Sequence, residues 1–154
     1  MSELSKCSRC LLSLNLWRAR NLTMSGLRAL AEGFENLLEI DLGWCGQLRG
    51  PPFSPIFVNF VQSCRKLRKL FLPAVRSISN NDMHAIAACL PDLEQLDILG
   101  TLSVSVDGVQ RVFESCPKMR FCDLSFCNSI TDVDIVMLRQ AHPRVTIQRS
   151  FISS

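Results

Sequence analysis

Apolar residues recur along the chain in triplets with the spacing L-x-x-L-x-L, and the triplets return at a nearly constant interval. Their first members are Leu11, Leu37, Leu67, Leu93, Met119 and, in a degenerate form, Val145. Successive steps are 26, 30, 26, 26 and 26 residues. The longer step contains the segment 50–55, which holds three prolines and a glycine and therefore indicates a loop insertion.

Each unit predicts a short strand followed by a helix. The triplet alternates buried and exposed positions with a period of two, as a strand with one buried face does. A second apolar set follows at the spacing i, i+3, i+4, for example Met83, Ile86 and Ala87 in the third unit. This spacing is typical of the inward stripe of a helix. Stacking the units would bury one continuous ladder of apolar side chains.

A repeat of this length with an L-x-x-L-x-L core predicts a leucine-rich-repeat solenoid. The predicted fold class is α/β: a right-handed, horseshoe-shaped solenoid of about five strand-turn-helix repeats and a C-terminal remnant strand. Residues 1–10 read as the tail of a missing N-terminal repeat, because Cys7 already occupies a helix-end position. Residues 11–154 form the repeat domain. A solenoid normally begins with a capping unit, so we expect a fragment or a natural short form of a longer protein, in preference to a chain that borrows its cap from a partner.

Composition narrows the classes of partner. The 154 residues are 47% hydrophobic and 20% charged, with a formal net charge of +3, which is ordinary for one globular domain. This charge supports neither nucleic-acid binding nor membrane attachment, and no apolar run approaches the ~20 residues of a membrane helix. The basic residues among the first twenty form no clear mitochondrial presequence. We expect an intracellular protein, cytoplasmic or nuclear, with a mitochondrial association left open.

Eight cysteines are present, and the repeat explains most of their positions. Cys45 and Cys127 occupy the turn after the strand, where leucine-rich repeats place Asn or Cys. Cys7, Cys64, Cys89 and Cys116 fall at the ends of predicted helices, where free Cys packs as a small hydrophobe. Cys7 and Cys10 have the spacing of metal ligands, but the sequence has no second pair of Cys or His residues at ligand spacing, so we predict no metal site. We also predict no cofactor. The cysteines are spread along the solenoid, so we predict no disulfide framework.

Candidate catalytic residues are not found by spacing. The two histidines, His84 and His142, lie in the third helix and at the end of the last helix, where we expect a partly exposed side chain or one that interacts with the C-terminal end of the helix dipole. No nucleophile or carboxylate can be placed beside either one, and the glycines form no phosphate-binding loop. We therefore predict a binding protein that is not an enzyme.

Three stretches carry a family resemblance: residues 38–45 (LEIDLGWC), 93–101 (LEQLDILGT) and 122–132 (CDLSFCNSITD). From about Cys7 to Phe151 the chain resembles the cysteine-containing leucine-rich repeats of F-box proteins. The resemblance implies the substrate-recognition module of a Skp–cullin–F-box ubiquitin ligase, which directs ubiquitin-dependent proteasomal degradation. It also implies that a Skp adaptor and a cullin are engaged only through an F-box, which is missing from this sequence. The alternative is a leucine-rich-repeat scaffold with no ligase role.

The expected binding surface is the concave face of the sheet, formed by strand positions between the buried ones. It combines a row of acidic residues with nearby aromatic residues, and exposed aromatics are typical of protein-binding hot spots. The predicted partner-binding residues are Trp17, Asp41, Phe71, Asp97, Phe121 and Asp123. A protein substrate is the expected occupant, although the carboxylates could instead serve only to solvate the sheet.

Overall fold

Six short strands form one parallel sheet in the computed structural model, which describes residues 8–151. The strands are β1 (Ser13–Asn15), β2 (Glu39–Asp41), β3 (Lys69–Phe71), β4 (Gln95–Asp97), β5 (Phe121–Asp123) and β6 (Thr146–Gln148). Their order in the sheet is their order along the chain, so each strand pairs with its sequence neighbours. Of the predicted N-terminal tail, a 3-10 turn spans Ser8–Cys10; Cys7 and its predicted helix-end position lie outside the described residues.

One helix connects each strand to the next. The helices are α1 (Met24–Gly33), α2 (Phe53–Ser63), α3 (Asn80–Cys89), α4 (Val106–Ser115) and α5 (Asp132–Ala141). Helices α1 to α4 pack side by side in sequence, as the strands do. Parallel strands linked by alternating helices confirm the predicted α/β leucine-rich-repeat solenoid of about five repeats. Among the described residues, no helix has both the length and the apolarity that crossing a membrane requires.

The buried ladder runs through the middle residue of each strand. Ile40, Leu70, Leu96 and Cys122 are directly paired between neighbouring strands and are at most 1% exposed. The register between Ile40 and Leu70 is intact although their repeat is longer by four residues. Three of the four extra residues precede α2 as the turn 50–52, and the fourth lengthens α2 to 11 residues, so strand pairing is unchanged. The loop insertion expected over 50–55 therefore ends at residue 52, because α2 begins at Phe53.

Buried polar groups fix where α3 begins. The backbone N–H of Ser79 donates to Oδ2 of Asp82 at 2.8 Å, and the Ser79 side chain faces the backbone N–H of Asp82, which makes a capping box. The Ser79 hydroxyl also donates to Oδ2 at 2.8 Å. Asp82 is fully buried, and its Oδ1 accepts a 2.6 Å hydrogen bond from the hydroxyl of Ser54 on α2. A buried carboxylate needs such partners, so the cap also ties α3 to the preceding helix.

Buried cysteines join successive repeats. The Cys64 thiol donates to the carbonyl of Phe34 at 3.5 Å, and the Cys116 thiol donates to that of Leu90 at 3.3 Å. Burial raises the pKa of Cys64 to about 12 and that of Cys116 to about 11, so both thiols keep the proton that they donate. The predicted packing role therefore extends to hydrogen bonds between repeats.

The sixth strand is one residue out of step with the repeat. Ile147 pairs with Cys122, a separation of 25 residues instead of 26. In β5 the N–H groups of Arg120 and Phe121 both donate to the carbonyl of Glu94, whereas at β6 Thr146 alone donates to that of Arg120. The last unit thus lacks the residue that bulges before each of the earlier strands.

Arg149 replaces the leucine at the third triplet position and covers the end of the described solenoid. Its guanidinium donates to the carbonyls of Leu124 at 2.7 Å, Cys127 at 3.0 Å and Ile130 at 2.7 Å. The Phe151 ring lies 4.6 Å from the guanidinium carbon. Carbonyls at the last turn thereby gain donors that no further repeat supplies in the described structure.

Candidate functional site

Four of the six predicted partner-binding residues lie side by side on the sheet. Each is the last residue of its strand: Asp41 pairs with Phe71, Phe71 with Asp97, and Asp97 with Asp123. Neighbouring strands are ~4.8 Å apart, so the four residues span about 15 Å. The structure therefore brings them together as one row, which we call the strand-end row.

The carboxylates of the strand-end row have a structural contact. Oδ1 of Asp41 accepts the N–H of Gly43 at 2.8 Å; the same bond joins Asp97 to Leu99 at 2.9 Å and Asp123 to Ser125 at 2.8 Å. This contact is an Asx turn, in which a short side chain caps the backbone two residues later. The carboxylates therefore help the chain leave each strand, and no second hydrogen bond to them occurs within residues 8–151.

Phe71 is the one residue of the strand-end row that is not an aspartate, and the residue two positions after it explains why. The residue two positions later is Pro73, which has no N–H to donate, so a carboxylate here would have nothing to cap. The Pro73 ring instead covers Gly43, where an added Cβ would lie 2.5 Å from Cγ of the proline. Phe71 is half-buried in the middle of the row and presents an aromatic surface between two acidic neighbours.

The turn after each strand uses a left-handed residue. These residues are Arg18, Trp44, Ala74, Gly100 and Phe126, with φ of 58°, 58°, 61°, 74° and 58°. Left-handed backbone costs about 1 kcal/mol or more for residues other than glycine. Each of these N–H groups donates to a carbonyl just beyond the next strand, at 2.7 to 3.1 Å. The edge beyond the strand-end row is therefore held by hydrogen bonds between repeats, and it displays Trp44 at 51% exposure.

The acidic residues of the row differ in accessibility, and Asp97 has a raised pKa. Asp123 is 6% exposed and contributes little to the surface. Asp97 is half-buried, and its pKa is raised from 3.8 to about 6, first by burial and then by the charges of Asp123 and Asp41, against the hydrogen bond from Leu99. A cationic group beside the Asp97 carboxylate would therefore stabilise its ionised form.

The three predicted aromatics do not form one cluster. Trp17 lies beyond the end of β1, is 50% exposed and has the Arg18 guanidinium 4.7 Å above its ring. Phe71 is two strands away, and Phe121 is two strands further, at the start of β5 beside Gln95. At ~4.8 Å per strand each gap is about 10 Å across the sheet, and the three residues also differ in position along their strands. The aromatics can contact one extended partner at separate points along the sheet.

A shallow hollow next to Phe121 was not foreseen from the sequence. It has a volume of about 560 Å³ and is lined by Gln95, Arg120, Phe121, Arg144 and Thr146. Arg120 comes directly before β5, and Arg144 comes from the loop that leads to β6. The sequence does not reveal this neighbourhood, because the 26-residue repeat aligns Arg144 with Lys118, three residues before β5, whereas the loss of one residue places Arg144 two residues before β6.

One expectation about the histidines is wrong. His142 is 8% exposed, because it packs edge-on against Phe113 with ring centroids 5.4 Å apart; its Nε2 has no hydrogen-bond partner in the described structure. The side chain completes the core where the last helix ends. His84 is exposed on α3. Within residues 8–151, no three His, Cys, Asp or Glu side chains gather into a group that could hold a metal ion.

The sequence is similar to known repeat proteins. No family model matches the chain. F-box/LRR-repeat protein 4 of Bos taurus is 39% identical over 147 residues, which cover 96% of this chain and 23% of that protein. The antagonist of mitotic exit network protein 1 of Candida glabrata is 31% identical over 84 residues, which cover 53% of this chain and 16% of that protein. This chain thus spans less than a quarter of either relative's length.

The fold is similar to that of a solved repeat structure. A chain in the crystal structure of the yeast Rad7 and Elc1 complex superposes with a TM-score of 0.69, covering 88% of this chain and 32% of that one. The sequence identity is 21%, so this likeness concerns the fold alone.

Proposed function

The chain is a leucine-rich-repeat protein related to F-box/LRR-repeat protein 4, and from this premise we propose that it is the substrate-recognition module of a Skp–cullin–F-box ubiquitin ligase. Its role is to hold a protein substrate for ubiquitin-dependent proteasomal degradation. The module supplies no catalytic residues of its own. A Skp adaptor and a cullin are engaged through an F-box outside the repeats, in an intracellular compartment, cytoplasmic or nuclear.

The observation that carries this proposal is 39% identity maintained over 96% of the chain, because it extends across the repeats and not over one motif. The yeast complex adds support, since a protein of this fold occurs there together with a second protein. Repeat solenoids bind partners on extended concave surfaces. The proposed binding residues are Trp17, Asp41, Phe71, Asp97, Phe121 and Asp123.

The features of the surface favour a partner segment that crosses the strands. Phe71 and Phe121 would provide apolar anchors about 12 Å apart, since two strand spacings and two residues along the strand separate them. The raised pKa of Asp97 would favour a cationic side chain beside it, because a positive charge stabilises the ionised carboxylate. Aromatic anchors would supply most of the affinity, while the carboxylates would tune association.

The experiment is affinity capture from cell lysate followed by quantitative mass spectrometry. A double variant, Phe71→Ala with Phe121→Ala, is compared with Gln110→Ala, which changes an exposed residue on α4. We expect the amount of each specifically captured protein to fall at least tenfold with the double variant and to stay unchanged with the control. Equal recovery by the two variants would exclude the concave face.

The cellular abundance of the captured proteins distinguishes the ligase role from the scaffold alternative. Captured proteins should increase in abundance when the proteasome is inhibited and when the full-length gene product is depleted. Partners whose abundance responds to neither treatment would favour a leucine-rich-repeat scaffold without a ubiquitin-ligase role.

A further inference from the structure

Uncompensated positive charge gathers at the hollow beside Phe121. Arg120 is exposed, and its side chain forms no hydrogen bond or ion pair with any described residue. Arg144, also exposed, comes from the next repeat and lines the same hollow. Phe121, Gln95 and Thr146 complete the lining of this concavity.

Two lysines near the same ends of the strands are already paired with carboxylates. Lys69 lies 2.7 Å from a carboxylate oxygen of Glu39, and Lys118 lies 2.7 Å from one of Asp92. Glu94, directly before β4, accepts the backbone N–H of Arg120 at its carbonyl, and its side chain forms no ion pair within the described chain. The hollow therefore retains two positive charges with one acidic neighbour. Arg68, directly before β3, is likewise exposed and in no ion pair within the described chain, but it does not line the hollow.

Arg144 is held in place before any ligand arrives. Its Nη2 donates to the carbonyl of Phe113 at 2.6 Å and to that of Cys116 at 3.4 Å, at the end of α4. The remaining N–H groups of the guanidinium are not used by any described residue. A guanidinium fixed by one edge and free at the other loses little entropy when it binds an anion, which favours a carboxylate.

We propose that the hollow formed by Arg120, Phe121 and Arg144 binds an acidic side chain of the partner protein, with an adjacent apolar side chain of the same segment against Phe121. This inference rests on the proposed function and specifies the chemistry of its occupant. The carboxylate receives charge-assisted hydrogen bonds from Arg120 and from the free edge of Arg144.

The acidic residues at the strand ends favour a protein over a nucleic acid as the ligand of the hollow. A phosphate backbone that leaves the hollow along the strands would meet Asp97 and the rest of the strand-end row, and like charges repel it. A peptide can place an acidic residue at the hollow and a neutral or basic residue at the strand-end row. The segment is therefore acidic toward the strand starts and neutral or basic toward the strand ends.

The test is a nuclear magnetic resonance titration of the nitrogen-15-labelled chain with short capped peptides at low ionic strength. The probe is acetyl-Gly-Glu-Phe-Glu-Gly-amide, and the matched probe has Lys in place of both Glu residues. We expect saturable shifts of the Phe121 and Thr146 amides with the acidic probe alone. Arg120→Gln should weaken that binding about tenfold, whereas Arg111→Gln, the same charge change on the exposed face of α4, should leave it within twofold.

Several outcomes would overturn the inference. The first is a lack of shifts at Phe121 and Thr146, the second is equal binding of both peptides, and the third is equal weakening by Arg120→Gln and Arg111→Gln. Shifts confined to Phe71 and its neighbours would refute the anion-binding hollow while leaving the concave face as a recognition surface. An oligonucleotide that binds more tightly than the acidic peptide, and that depends on Arg120, would replace the protein ligand with a phosphate ligand.

Discussion

Replacing Asp97 with Asn should stabilise the protein at neutral pH and leave its stability unchanged in acid. The pKa of Asp97 is about 6 in the folded chain against an ordinary value of 3.8, mainly because burial disfavours the charged form. Between these values the folded protein binds a proton that the unfolded chain does not, so stability falls as pH rises from about 4 to about 6. Above pH 6 the full penalty is present.

The magnitude follows from the pKa difference. At 1.36 kcal/mol per pH unit, the difference between 3.8 and about 6 corresponds to ~3 kcal/mol. Asp97 is half-buried, and solvent screening lowers this to roughly 1–2 kcal/mol. Asn fits the position, since Asn15 stands there in the first repeat and its Oδ1 accepts the N–H of Trp17 at 2.9 Å. Asp97→Asn therefore removes the charge and keeps the turn.

Urea unfolding monitored by circular dichroism at about pH 4 and about pH 7.5 measures the effect. Asp97→Asn should raise the unfolding midpoint at the higher pH, with no change at the lower pH. Glu32→Gln removes an exposed charge on α1 and controls for the change in net charge. Equal stabilisation at both pH values, or destabilisation at neutral pH, would refute the electrostatic account of Asp97.

Three further substitutions test packing along the solenoid. Leu96→Ala, at a fully buried rung of the ladder, should lower the free energy of unfolding by about 2–5 kcal/mol in urea titrations, while its half-buried neighbour Gln95→Ala should change it little. Gly43→Ala should lower the thermal midpoint, because a Cβ would lie 2.5 Å from the ring of Pro73 and overpacking costs about 1–3 kcal/mol. Arg149→Met should accelerate amide hydrogen exchange in α5 and β6 first, since it removes three hydrogen bonds to the last turn.

Each of these expectations can fail in a specific way. A wild-type midpoint for Leu96→Ala would mean that the ladder is not packed as described. A wild-type thermal midpoint for Gly43→Ala would show that the turn at Pro73 moves to accept the added Cβ without loss of stability. Uniform exchange across all repeats in the Arg149 variant would argue against a local capping role.

The elements of the fold could be predicted because each has its own period. The alternation at residues 37–42 and the helical spacing at 83–87 are properties of the backbone geometry, so the sequence displays them directly. The loss of one residue before β6 could not be predicted in the same way. There Arg149 occupies a leucine position, and the hydrophobic pattern no longer marks the register.

The sequence predicts which side of the sheet carries the candidate site, but it does not predict the burial or the neighbours of the residues in it. Strand alternation places Asp97 and Phe71 on one side of the sheet, but burial within the row depends on neighbouring repeats, which is why Asp123 is nearly inaccessible. The hollow joins Arg120 to Arg144 across two repeats, and the position of Arg144 depends on carbonyls of α4 that the sequence does not display.

Site-specific photo-crosslinking in cells tests the central proposal, that the concave face holds the substrate, most directly. Phe71 is replaced by p-benzoyl-phenylalanine in one variant and Gln110, on the outer face of α4, in another. The account predicts a discrete crosslinked protein from position 71 that accumulates on proteasome inhibition, and no such product from position 110. Crosslinks of the same protein from position 110 but not from position 71 would contradict it.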